Sequence, residues 1–257
     1  EDRVTAGDGN NIVLLGDSDD TAQTGSGTDI ILGDHGSVQV DGPNRDITTT
    51  FVGTGGNDQL NAGSGQDLLI GGAADDTLSG GADDDLILGD YGTVYRDAAN
   101  LVEQAVSSAE AAGGSDTLEG NAGNDVILGG ASGDTIYGGN ADGSPIAAAD
   151  ADLLFGDSAQ VDYTLGRVDD AISTAPGIGG ADTITGNEGV DIIFGGTDAH
   201  TLYGNAGAAI ILGDNGGLGG TLGGFSANDV YTIAPAVGPG AEISGGLGDD
   251  FLICAPR

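Results

Sequence analysis

The chain is 257 residues long and carries 41 acidic side chains against five basic ones, for a net charge of −36. With 52 glycines and only 4% aromatic residues it lacks the large side chains of an ordinary compact core, although a thin repetitive stack remains open to it. There is no basic patch to neutralise phosphate, which argues against a nucleic-acid partner, and no apolar run of the roughly 18 residues that a membrane span needs.

Nearly all the acids are Asp, and they recur at fixed places, unlike the scattered charge of a disordered chain. The single cysteine, Cys254, rules out an internal disulfide and is expected to be a buried or free thiol. Residue 1 does not begin a signal-peptide pattern, and both ends fall within repetitive sequence, so the chain is expected to be a segment of a longer protein or a processed product.

In chain order the sequence falls into nines. The first block, 6–32, has Asn11, Asp20 and Asp29 at the sixth place of its three nines. The second, 53–88, reads GTGGNDQLN, AGSGQDLLI, GGAADDTLS and GGADDDLIL, with Asp58, Asp67, Asp76 and Asp85 sixth. The third, 111–155, has Asp116, Asp125 and Asp134, then an extra loop at 138–146, then Asp152. The fourth, 177–212, has Asp182, Asp191, His200 and Ala209, and the last, 236–253, has Ala241 and Asp250.

Each nine is Gly-rich in its first five places and has an aliphatic eighth residue, such as Leu60, Leu69, Leu78 and Ile87. Six residues ending in Asp form a tight turn, because Gly supplies positive φ. The last three form a short strand whose eighth side chain points opposite to the seventh and ninth. Two nines then close one coil, and each turn lies over the turn eighteen residues away. Asp carboxylates and turn carbonyls converge between stacked turns, an all-oxygen environment suited to Ca²⁺.

Four inserts of about twenty residues, 33–52, 89–110, 156–176 and 213–235, interrupt the nines. They open alike, as Gly33-Asp34-His35-Gly36, Gly89-Asp90-Tyr91-Gly92, Gly156-Asp157-Ser158-Ala159 and Gly213-Asp214-Asn215-Gly216, so four nines plus one insert form a larger repeat near 57 residues. Each insert is either an irregular coil of the same stack or a flap outside it. The second is expected to be helical over 97–111, because Leu101, Val102, Ala105, Val106 and Ala109 fall at helical spacing behind an Asn100–Glu103 capping pair. Residues 48–52 and 229–233 are expected to be extended.

The seventh and ninth residues alternate in character from nine to nine. Ile30/Leu32, Leu68/Ile70, Leu86/Leu88, Val126/Leu128 and Ile192/Phe194 are apolar, whereas Thr21/Gln23, Gln59/Asn61, Thr77/Ser79 and Thr183/Thr185 are polar. One sheet should therefore be apolar on both faces and the other hydroxyl-rich outside. The exposed apolar stripe needs a cover. The candidates are the inserts themselves, through Val40, Phe51, Val94, Leu101, Val161, Leu165 and Ile233, or a partner such as a second copy. Arg45, Arg96 and Arg167 lie in inserts, either solvated or paired with a neighbouring acidic turn.

The nonapeptides resemble the G-G-x-G-x-D-x-U-x repeat of the RTX family, the haemolysin-type calcium-binding proteins, and the resemblance covers most of the chain. It implies an all-β fold, a right-handed parallel β-roll with several Ca²⁺ ions between stacked turns. Carried onto this sequence, the metal ligands are Asp20, Asp29, Asp58, Asp67, Asp76, Asp85, Asp116, Asp125, Asp134, Asp152, Asp182, Asp191 and Asp250. Asn11, His200, Ala209 and Ala241 depart from the pattern, which puts the pairings of Asp182 with position 200 and Asp191 with position 209 in question. The resemblance also implies a secreted bacterial protein, exported unfolded and folded by external Ca²⁺.

Two functions follow as expectations. One is a non-catalytic structural or adhesive segment of an extracellular or cell-surface protein, self-associating or bound to other matrix components. The other is the calcium-binding module of a secreted toxin or hydrolase whose catalytic domain lies outside these residues. No catalysis is expected within the chain. The Gly-Asp-Ser triplets at 16–18 and 156–158 resemble a lipase nucleophile block, but His35, Tyr91 and Asn215 hold the same place in sister copies. Asn140-Ala141-Asp142-Gly143 resembles the start of an EF-hand loop without its closing Glu.

Overall fold

The structure, a computed structural model, describes residues 1–108, 112–144, 150–219, 230–232 and 241–254. All regular elements among the described residues are β-strands, and two nine-stranded sheets form the roll. Consecutive nines alternate between these sheets, as the outward pattern requires. The polar sheet runs from Arg3–Thr5 through Thr77–Ala82 to Glu242–Ser244, and the apolar sheet from Ile12–Leu14 through Leu86–Asp90 to Phe251–Ile253.

All pairings within both sheets are parallel and join equivalent places of the nine. Ile31 lies opposite Leu69, Leu69 opposite Ile87, and Ile87 opposite Ile127. These eighth-place side chains point between the sheets and form a thin inner core, in which Ile31, Leu69, Leu78, Ile87, Leu118 and Ile127 are fully buried.

The inserts are flaps. Each folds into an antiparallel hairpin, and the four hairpins join side by side into a third, eight-stranded sheet. Their strands are Gly36–Val38 with Ile47–Thr49, Gly92–Arg96 with Val102–Ser107, Ala159–Thr164 with Arg167–Ser173, and Gly216–Gly219 with Val230–Thr232. This flap sheet covers the outer face of the apolar sheet, and a second core fills the space between them. Leu32, Ile70, Leu88, Leu128, Phe155, Phe194 and Leu212 meet Ile47, Val94, Ala105, Val161, Ala171 and Leu218 there. The Phe155 and Phe194 rings stack at 4.5 Å. The chain thus supplies the cover for its own apolar stripe, except at the end strands, where Ile12, Leu14 and Phe251 are exposed.

Three expectations are corrected. No helix begins at residue 97. Asp97 Oδ1 accepts the Ala99 and Leu101 amides, Asn100 is left-handed at φ 67°, and the chain returns as strand Val102–Ser107. That strand is paired on both sides, with Gly92–Arg96 and with Ala159–Thr164, and sheet pairing overrides the helical spacing of its apolar residues. The extended segment expected at 48–52 stops early, because strand Ile47–Thr49 is followed by a reversal at Phe51, φ 57°.

The third correction concerns the cover. Of the residues expected to supply it, Val94 and Val161 are buried, but Val40, Phe51, Leu101 and Leu165 are exposed. Ile47, Ala105, Ala171 and Leu218 join Val94 and Val161 in covering the apolar stripe. Residues 109–111 of the expected helix, 145–149 of the extra loop and the nine after it, 229 and 233 of the fourth insert, and 236–240 of the last block lie outside the described residues.

Candidate metal centres

The turn that precedes each roll strand ends on the sixth-place Asp, and the coil stack places these residues one above another in two rows. In the row leading into the polar sheet, the Asp20 N–H donates to Asp58 Oδ1 at 2.8 Å, Asp58 to Asp76 at 2.7 Å, and Asp76 to Asp116 at 2.8 Å. Asp116 then donates to Asp134, and Asp134 to Asp182, both at 2.8 Å. The row leading into the apolar sheet runs from Asn11 to Asp29 and Asp67, both at 2.7 Å, and on through Asp85, Asp125, Asp152 and Asp191. Flaps and the extra loop interrupt the sequence spacing without breaking either row.

One oxygen of each carboxylate is thereby committed to a backbone amide. The other is not: Oδ2 of Asp20, Asp29, Asp58, Asp67, Asp76, Asp85, Asp116, Asp125, Asp134 and Asp152 is buried without a hydrogen-bond partner. The Asp182 Oδ2 is the exception and faces the His200 imidazole. Buried carboxylate oxygens need compensation, and a buried carboxylate left bare shifts toward its neutral form. Burial, with the neighbouring carboxylates adding to it, pushes Asp76 up to about 10, Asp85 to about 9 and Asp134 to about 11.

A row of buried, uncommitted carboxylate oxygens fits a hard divalent cation, and the sixth-place Asp residues are the ones that would hold it. The same packing explains the first glycine of the nine. A Cβ on Gly71 would overlap both the Asp76 carboxylate of its own turn and the Gly89 carbonyl of the next coil.

Among the predicted ligands, Asp191 is buried and accepts the Asp152 amide at 3.2 Å, but its neighbour in the row is Ala209, which brings no side-chain oxygen. Asp250 resumes that row by accepting the Ala209 amide at 3.1 Å. His200 closes the other row: its Nδ1 lies 3.2 Å from the Asp182 amide nitrogen and 2.9 Å from Asp182 Oδ2. Burial opposes a charge on this imidazole, but the Asp182 hydrogen bond and the charges of Asp182 and Asp157 outweigh it, so its pKa rises. The last rung therefore pairs a carboxylate with an imidazole rather than with a second carboxylate.

The Asp residues that open the inserts have a different task. Asp90 accepts the Gly114 amide at 2.9 Å and the Ala131 amide at 2.5 Å, and Asp157 likewise accepts those of Gly180 and Thr197. Asp34 accepts the Ala73 amide at 2.6 Å. Each stands at the neck of a flap and ties it to the turns of the roll.

Ser158 is fully buried and donates to the Ser108 carbonyl at 3.2 Å, so it presents no nucleophile. Asn140–Gly143 is a plain turn, closed by the Gly143 amide on the Asn140 carbonyl at 3.0 Å. Arg96 is nearly buried within the flap sheet and bonds the Arg45 carbonyl at 2.8 Å, while Arg45 reaches Asn100 rather than an acidic turn. Cys254 is a free, exposed thiol.

Comparison with protein-family models matches the RTX calcium-binding nonapeptide repeat in four copies, over residues 1–37, 50–90, 110–144 and 176–211. The chain belongs to this family. RTX repeats bind calcium and occur in secreted proteins, and the orphaned carboxylate rows are where this RTX chain would place the ions. Most of each flap falls outside the matched segments, so the third sheet is an addition to the repeat. No curated protein matches the chain.

The nonapeptide spacing was enough to find both rows. It missed Asp150, at the fourth place of its nine, whose buried carboxylate comes within 4.8 Å of Asp152 and Asp191. The signal was present as a second Asp in AAADADLLF, two residues before the expected ligand.

Proposed function

We propose that this RTX chain is a calcium-folded structural segment of an extracellular protein, without catalysis of its own. The observation that carries the reading is the double row of buried carboxylates, most with one oxygen held by an amide of the preceding coil and the other left bare. Unmet, these charges oppose stacking; with Ca²⁺ between the turns they hold it together, so that binding free energy becomes folding free energy. Such a chain stays unfolded where Ca²⁺ is scarce and folds where it is plentiful, which suits export as an unfolded polypeptide. Among the described residues no helix is long and apolar enough to cross a membrane.

The partner in this reading is another copy or another matrix or surface component, and the net charge of −36 disfavours nucleic acid. Self-association into a fibre or layer is supported by the repeat near 57 residues, which lengthens the roll in equal steps. It draws nothing from the part of the apolar stripe that the flaps cover. Circular dichroism with and without chelator tests the folding step, and unchanged β content in chelator refutes it. Electron microscopy in the same two conditions tests assembly: filaments only with Ca²⁺ support it, and dispersed particles in both refute it.

A further inference from the structure

We infer that Asp150, Asp152 and Asp191 form a three-carboxylate Ca²⁺ site that is the tightest in the chain and the first to fill. The inference rests on the calcium-binding reading above and adds a ligand that the repeat does not supply. Position four of the nine is usually Gly, as at Gly65, Gly123 and Gly189. Asp83 and Asp198 also stand at that position, but both are exposed, in left-handed turns at φ 77° and φ 86°, so neither carboxylate is buried with the row.

Asp150 differs from both. It is only 6% exposed, and neither of its oxygens makes a well-formed hydrogen bond, although the amides of Gly123 and of Asp150 itself face it. Its carboxylate, that of Asp152 and that of Asp191 offer oxygens all within 4.8 Å of one another, and Asp152 Oδ2 is also without a partner. Asp150 is held in place by its backbone, since its carbonyl accepts the Val190 amide at 2.9 Å. Glu188, half-buried on the facing turn, adds negative charge felt by Asp150 and Asp191.

An ordinary rung of either row offers two sixth-place carboxylates; this one offers three, all oxygen donors. Calcium sites gain affinity with the number of charged ligands and with rigidity, and this site has more of the first and, through the Val190 bond, the second. A cation there also joins the coil that follows the extra loop at 138–146 to the next coil of the row, across the third insert.

The test is calorimetric Ca²⁺ titration of the intact chain, of Asp150→Asn and of Asp83→Asn. The wild type is expected to show a first site filling at about tenfold lower Ca²⁺ than the rest. Asp150→Asn should lose that phase while keeping the others, and Asp83→Asn should keep it. An Asp150→Asn isotherm that superimposes on wild type overturns the inference and leaves the calcium-binding reading intact; a wild type that binds no Ca²⁺ overturns both. Should Asp150→Asn fail to fold, crystals of the wild type with substoichiometric Tb³⁺ decide. The strongest anomalous peak is expected bonded to Asp150, Asp152 and Asp191, and a strongest peak elsewhere, or one without Asp150, refutes the site.

Discussion

The metal-free protein should have an inverted pH dependence. Asp76, Asp85 and Asp134 have carboxyls raised by burial to about 10, 9 and 11, against 3.8 for an ordinary Asp carboxyl. A group raised in the fold contributes stability that is complete below the unfolded pKa and is lost as pH rises toward the folded one. Between pH 3.8 and pH 7.5 the unfolded chain releases these protons and the metal-free fold keeps them, at about 1.4 kcal/mol per pH unit and per group. That is about 5 kcal/mol for each, a large share of the whole stability of an ordinary domain. Asp58, Asp67, Asp125 and Asp191, raised to about 7, add losses over the same interval up to neutrality.

Without metal, the roll should therefore be folded near pH 4 and unfolded near pH 7.5. Saturating Ca²⁺ should reverse the order, because the ion replaces the protons and binding releases them. Far-UV circular dichroism melts of chelator-treated protein across this range, repeated with Ca²⁺, measure both arms. A metal-free melting temperature that stays flat or rises between pH 4 and pH 7.5 would show that the rows are not bare buried carboxylates, and the reasoning would fail.

Two further substitutions separate the parts of the molecule. Phe194→Ala removes a fully buried ring stacked on Phe155 between the apolar and flap sheets. It should cost about 3–5 kcal/mol in urea unfolding at saturating Ca²⁺ with the Ca²⁺ stoichiometry unchanged, and a cost under about 1 kcal/mol would mean that the flap sheet does not pack there. Asp90→Ala orphans the Gly114 and Ala131 amides and should cost on the order of 3 kcal/mol, again without loss of a bound ion. A lost ion with little loss of stability would make Asp90 a ligand rather than a clamp.

The roll was legible because its signals are local. The sixth-place Asp and eighth-place aliphatic residue specify turn and strand within nine residues, and the alternating outer residues separated the two sheets before any coordinates. The flaps were less legible because their structure is decided by neighbours distant in the chain. Val102–Ser107 is a strand because Gly92–Arg96 and Ala159–Thr164 flank it, and no window around residue 105 contains the second of these. Likewise the task of Asp90 is defined by amides 24 and 41 residues away, so its recurrence in the inserts was visible while its role was not. His200 and Ala209 were legible as departures, but only the coil stack shows that an imidazole can close a row.

The length of the larger repeat has a geometric reason. A flap leaves the roll after Ile30–Leu32, Leu86–Asp90, Leu153–Asp157 and Ile210–Leu212, that is, after every second strand of the apolar sheet. Two coils advance the roll by about 10 Å at the ordinary strand spacing, and a two-stranded hairpin is about 10 Å wide by the same measure. Each hairpin therefore spans the interval to the next, and the four join edge to edge over the apolar sheet, as the strand order of the flap sheet shows. An insert every coil would crowd the cover, and one every three coils would leave a strand-wide gap over aliphatic side chains. The cover is continuous only while the coils stay stacked, so relieving the carboxylate rows that oppose stacking also keeps the apolar face closed.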